Sequence, residues 1–168
     1  IPSEHNGKPV TAIGYEAFLG CRGLTSIALP DSLISIGDYA FWECSGLTNI
    51  TLSGSLTSIG VYAFSGVSAE IVWGDDPQIT SIGDYAFRGY KGEIITIPDS
   101  VTSIGYQAFY GCSGLTSITI PDSVTSIGGS AFYGCSGIIK TENGVSYVDD
   151  WVIECDTTAT SGQLRGGT

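Results

Sequence analysis

Apolar positions along this chain recur in a fixed frame. The string Ile-Gly-x-x-Ala-Phe occurs at Ile13–Phe18, Ile36–Phe41, Ile59–Phe64, Ile82–Phe87, Ile104–Phe109 and Ile127–Phe132, with its isoleucines 23, 23, 23, 22 and 23 residues apart. After each phenylalanine comes a second pattern, x-x-Cys-x-x-Leu-x-x-Ile-x-Ile/Leu-Pro, complete in Cys112, Leu115, Ile118, Ile120 and Pro121. The alternation Ile118-Thr119-Ile120 has the period of two that buries one face of a strand, and β-branched residues suit its pleat. Each repeat is therefore expected to supply one short strand. Pro-Asp-Ser at 30–32, 98–100 and 121–123 ends it, because proline cannot donate to a ladder and Asp and Ser favour turns. Between Ile-Gly and Phe there is no room for a long helix, which predicts a turn, a 3₁₀ piece or an extended stretch.

A unit this short cannot bury its own apolar face, so like units must cover one another in a β-rich solenoid of parallel strands ~4.8 Å apart. Ile27, Ile50, Ile95 and Ile118 then form one buried ladder. Phe18, Phe41, Phe64, Phe87, Phe109 and Phe132 form another, with Ala beside each ring where a larger side chain would not fit.

Strings such as Ile120-Pro-Asp-Ser-Val-Thr-Ser-Ile-Gly-Gly-Ser-Ala-Phe-Tyr-Gly-Cys-Ser-Gly137 resemble the BspA-like leucine-rich repeats, the 23-residue, Treponema pallidum-type bacterial subclass of secreted and cell-surface proteins. The resemblance covers roughly residues 10 to 137. It implies a right-handed leucine-rich-repeat superhelix, with short strands on the concave face and turns or 3₁₀ segments on the convex face. It also implies adhesion or protein recognition, with no shared catalytic residues. Repeat three departs from the pattern at Ile71-Val72-Trp73-Gly74-Asp75-Asp76-Pro77, and the next repeat is one residue short at Tyr90–Ile95. Three regions follow: 1–9, the end of a truncated upstream repeat and a loop at Glu4–Lys8; 10–137, six repeats; and 138–168, a hairpin with an acidic turn and a loose tail.

Charge narrows the function. The chain has 168 residues, 17 of them acidic and 6 basic, for a net charge of -11. Six scattered cations cannot neutralise a phosphate backbone, which excludes nucleic acid as a partner. With 42% hydrophobic and 14% charged residues the chain can bury a core, and it holds no run of the ~18 apolar residues that a membrane span needs. Direct membrane insertion is not expected. Cys21, Cys44, Cys112 and Cys135 share one repeat position with Val67 and Tyr90, which reads as packing; a disulfide between stacked neighbours is the alternative, and Cys155 lies outside the series. No zinc-ligand spacing is present, so no metal or other cofactor is implied, although Asp75 and Asp76 could offer calcium a flexible loop. The single histidine, His5, stands in a terminal loop, which argues against nucleophilic catalysis and against an enzyme.

The remaining candidates are surfaces. Outward strand positions are expected at Ser26, Ala28, Asn49, Thr51, Val72, Gly74, Ile94, Thr96, Ser117 and Thr119, a flat uncharged face on which a protein partner could dock. Alternation puts Trp73 inward. Tyr39, Tyr62 and Tyr85 recur before Ala-Phe, and Trp42, Tyr110 and Tyr133 after Phe; these edges could stack on sugar rings or serve as packing. Asn49-Ile50-Thr51 fits an N-glycosylation acceptor, irrelevant in a bacterium. The expected function is a non-catalytic interaction or adhesion module of an extracellular or cell-surface bacterial protein, binding a host or neighbouring-cell protein on the concave sheet. The alternatives are a surface-glycan module using the aromatic edges, or a structural spacer.

Overall fold

Two strand ladders, not one, run along the protein. The computed structural model describes residues 1–142, 145–149 and 151–155, and among them there is no helix. One ladder is built from the residue pairs just ahead of each repeat glycine. Ala12–Ile13, Ser35–Ile36 and Ser58–Ile59 form one parallel sheet, and Ser81–Ile82, Ser103–Ile104 and Ser126–Ile127 another. The second ladder holds Ser26–Ile27, Asn49–Leu52 and Glu70–Trp73 in one sheet and Ile94–Thr96 with Ser117–Thr119 in the next. The expectation of one strand per repeat is thus corrected to two. A two-residue strand carries too little alternation to be read from sequence, although its isoleucine points inward and its serine outward in the usual way.

The segment between Ile-Gly and Cys is a turn on which two hydrogen-bond directions alternate. In repeat two, Ala40 N–H, Trp42 N–H and Cys44 N–H donate back three residues, to Gly37, Tyr39 and Phe41. Tyr39, Phe41 and Glu43 instead donate to Val61, Ala63 and Ser65 of the next coil, at 2.9 Å each. This geometry puts the residue two before Phe in the left-handed region in all six repeats: Glu16, Tyr39, Tyr62, Tyr85, Gln107 and Ser130, with φ between 51° and 58°. Side chains so different share one conformation because the coil imposes it. The repeat glycine is explained otherwise. Its φ is not left-handed; a Cβ on Gly37 would stand 2.9 Å from the Gly14 carbonyl carbon, and one on Gly60 2.6 Å from that of Gly37. Close stacking of backbones, rather than a turn conformation, requires it.

Inside, the phenylalanines form one column. Centroids from Phe18 through Phe132 are 5.1 to 5.4 Å apart with ring planes within 9° of parallel. All but Phe18 are buried, and Phe18, in the first coil, is half-buried. The serine of Pro-Asp-Ser is a clamp as well as a turn former: Ser32, Ser100 and Ser123 Oγ donate to Val10, Ile79 and Val101 carbonyls one coil back at 2.7 to 2.8 Å.

Both ladders break between repeats three and four. Phe41 precedes Ile50 by nine residues, but Phe64 precedes its register partner Ile71 by seven. The two residues return after the strand, in the loop Gly74–Pro77. Repeat four lacks the leucine that follows Cys in repeats one, two and five. Tyr90, standing at the Cys position, fills that space with a buried ring, and Gly92 lacks the Cβ that would collide with its hydroxyl. Side chains stitch the seam: Tyr90 Oη donates to the Ala69 carbonyl at 2.7 Å and Trp73 Nε1 to that of Thr96 at 2.8 Å. The turn side stays bonded throughout, with Phe64 N–H donating to Ala86 at 2.8 Å.

At the start, Glu4–His5 and Lys8–Pro9 pair as a hairpin where a loop was expected; the Asn6-Gly7 turn has φ of 52° and 71°, the left-handed pair that such hairpins need. Lys140–Glu142, Val145–Val148 and Trp151–Cys155 form an antiparallel sheet beyond the last repeat. The tail expected at 157–168 lies outside the described residues.

Candidate interaction surface

The second ladder, from Ser26 to Thr119, is the outer ladder, and pairing register fixes which side chains leave it. Asn49 lies beside Ser26 and Glu70, and Thr51 beside Val72; Ile94 lies beside Ser117, and Thr96 beside Thr119. Ser26, Ala28, Asn49, Thr51, Val72, Ile94, Thr96, Ser117 and Thr119 are all exposed. Gly74 does not belong with them. The seven-residue spacing shifts repeat three, so its outward pair is Glu70 and Val72, and Glu70 is the residue that the repeat pattern alone misassigns. That shortening, measurable in the sequence from Phe64 to Ile71, was the signal for it. Trp73 registers with buried Leu52 and is half-buried. Hydroxyls at the rim of this face are committed to the fold, since Thr48 and Thr116 Oγ1 donate to the Thr25 and Glu93 carbonyls at 3.2 and 3.1 Å.

The aromatic edge is a stack. Tyr62 lies between Tyr39 at 5.2 Å and Tyr85 at 4.6 Å, both near-parallel, so neither of its faces is open. Tyr15 and Tyr106 meet the two ends edge-on at 5.9 and 5.4 Å. Tyr110 is covered by Tyr133 at 5.2 Å on one side and lies 5.1 Å from the Arg88 guanidinium carbon. Burial and the neighbouring Tyr106 raise the Tyr85 phenol above its ordinary value. Open aromatic surface remains at Trp42, set against the edge of Tyr39 at 5.5 Å, and at Tyr133; both are exposed.

Cys44, Cys112 and Cys135 are buried free thiols, and each donates to the carbonyl of a repeat phenylalanine one coil back, at 2.9, 3.1 and 2.9 Å. The adjacent Cys135 thiol, with burial second, holds the Cys112 thiol far above its ordinary value, which makes it unreactive. Cys21 departs from the expected packing role: in the first of the six coils it is exposed. Asp31, Asp75 and Asp76 line one cavity of about 400 Å³, but among the described residues no three acidic, cysteine or histidine groups converge on a metal position. His5 is exposed on the hairpin, its Nε2 3.1 Å from the Asn6 amide. No helix of the described residues is long and apolar enough to cross a membrane.

Known proteins share this architecture. A leucine rich cell surface protein from Faecalibacterium prausnitzii superposes with a TM-score of 0.55 at 27% identity, over 88% of this chain and 50% of that one. A leucine-rich repeat protein from Eubacterium ventriosum gives 0.58 at 29% identity, over 69% of this chain and 34% of that one. The T. pallidum leucine rich repeat protein shares the fold, with a TM-score of 0.57 at 24% identity over 82% of this chain and 75% of that one. A bspA-like surface protein of Trichomonas vaginalis is 75% identical over 24 residues, 14% of this chain and 4% of that one. This chain thus spans half of the Faecalibacterium protein and a small part of the Trichomonas one. The family described as BspA type Leucine rich repeat region matches residues 5–72 and 80–160 in six copies, leaving out the irregular loop of repeat three, and the chain belongs to that family.

Proposed function

We propose that this protein is a non-catalytic recognition module displayed at a cell surface or secreted, and that it binds a protein partner on the outer strand ladder. The observation that supports this reading is the exposure of two files of mostly small side chains, from Ser26 to Ser117 and from Ala28 to Thr119, with Glu70, Val72 and Ile94 the larger members. Small uncharged groups leave a broad face on which a partner can approach the sheet, whereas residues elsewhere in the repeat are committed to packing. Relatives named as surface proteins support the location. The sugar-binding alternative is weakened by ring geometry. Pyranose stacking needs an open aromatic face, and those of Tyr62 are covered.

The test is capture of surface-protein partners by the purified module beside a glycan array. Thr51→Arg and Thr119→Arg put a long cation on the strand face and are expected to abolish capture without lowering thermal stability. Glycan binding that disappears on Trp42→Ala, with capture indifferent to both arginines, would replace this reading with the sugar one.

A further inference from the structure

The seam between repeats three and four carries features that no other part of the strand face has. Val72 and Ile94 are 42% and 62% exposed, the large apolar residues in two files otherwise made of Ser, Thr, Asn and Ala plus Glu70. Beside them opens a cleft of about 280 Å³ lined by Thr48, Ser68, Glu70, Tyr90, Glu93 and Ile94, with Gly92. It opens where the strands on either side do not pair. Its volume falls short of the roughly 300–1,000 Å³ of small-molecule sites, but it admits one long side chain. Glu70 and Glu93 are both exposed at it. Among the described residues the ion pair is Arg22–Glu43 at 3.8 Å, so neither cleft carboxylate is paired, and the nearest cation in sequence, Lys91, is itself exposed.

We infer that this cleft is the anchor point of the strand face, and that it takes an arginine or lysine side chain of a partner polypeptide while a flanking apolar residue of that partner packs on Val72 and Ile94. The inference rests on the strand face being the recognition surface. An apolar contact flanked by two unpaired carboxylates in a chain of net charge -11 selects a cationic partner. Arginine beside an apolar residue is the composition of which interface hot spots are made.

Fluorescence anisotropy and ¹⁵N chemical-shift mapping test it with three labelled ten-residue peptides: alternating arginine and leucine, the same with glutamate for arginine, and the same with serine for leucine. The arginine–leucine peptide should bind and shift the amides of residues 70–73 and 92–96. Its affinity should fall about tenfold with Glu70→Gln and again with Ile94→Ser, and stay unchanged with Asp122→Asn outside the cleft. An equal fall with Asp122→Asn, an indifferent Glu70→Gln, or equally tight binding of the arginine–serine peptide would overturn the cleft. Partner capture lost with Thr119→Arg but untouched by Glu70→Gln would overturn the cleft alone, whereas capture untouched by Thr51→Arg and Thr119→Arg would remove the face on which it rests.

Discussion

Truncating a ring of the inner column tests the stacking logic directly. Phe87 is fully buried between Phe64 at 5.4 Å and Phe109 at 5.3 Å, with Tyr90 edge-on at 6.1 Å. Phe87→Ala removes that burial and leaves a void lined by three rings that the stacked backbone cannot close, a loss of about 3–5 kcal/mol. Tyr62 also stands between two rings, but on the outer edge and half-buried. Tyr62→Ala forfeits two stacking contacts of roughly 0.5–1.5 kcal/mol each and little cavity energy, for a total of about 1–3 kcal/mol. Urea unfolding followed by far-UV circular dichroism reads both, and at roughly 2 kcal/mol per M the midpoints should fall by about 2 M and about 1 M respectively. Phe18→Ala, half-buried and stacked on one side, should fall between them. Equal losses at Phe87 and Tyr62, or a Phe87 loss below about 1.5 kcal/mol, would refute the claim that the column rather than the edge carries the stability.

Gly60→Ala should cost about 1–3 kcal/mol, since its Cβ would meet the Gly37 and Asp38 backbone, whereas Gly23→Ala, with open space around it, should stay within about 0.5 kcal/mol by the same denaturation assay. Burial pushes the Tyr90 phenol up to about 12 from 10.0, so the neutral hydroxyl's contribution is complete below pH 10 and is lost as pH rises through about 12. Tyr90→Phe strands the Ala69 carbonyl at a cost of about 1–3 kcal/mol at neutral pH, and should lose less further stability than the parent between pH 9 and 11.5. Of the described thiols, Cys21 should react with a disulfide reagent within the mixing time in native protein, while Cys44, Cys112 and Cys135 wait for unfolding; prompt modification of several, read by peptide mass mapping, would contradict their burial.

The repeat frame was legible because it is written in large side chains. Six phenylalanines and the buried isoleucines recur at one period, and a column of rings is what that period builds. Elements shorter than the period of their own signal were not legible: Ser35–Ile36 is too brief to show alternation. The Asn6-Gly7 hairpin was present in the sequence and overlooked because the surrounding strands are only two residues long. The exposed positions of the strand ladder follow from the repeat frame except in repeat three, where one of the two is displaced. Counting forward from Phe64 by the common interval lands two residues late and exchanges Gly74 for Glu70. Exposure of Cys21 was invisible for a different reason: repeat position alone does not set burial, which depends on the chain packed against each side of a coil.

Irregularity in a solenoid is tolerable only where it does not disturb the stack, and the seam satisfies that condition. Repeat three loses two residues between Phe64 and Ile71 and regains them by Ile82, so Phe64 and Phe87 remain 23 residues apart and 5.4 Å from centroid to centroid. Repeat four loses one residue and fills the vacancy with Tyr90, leaving Phe87 and Phe109 at 5.3 Å. Strand pairing breaks while the column and the turn-side hydrogen bonds continue. A perfectly periodic face offers a partner several equivalent registers, each binding about equally well, which gives no preference for one position. A single break that exposes Val72 and Ile94 and opens a cleft between Glu70 and Glu93 removes that degeneracy at a site where the core does not register the change.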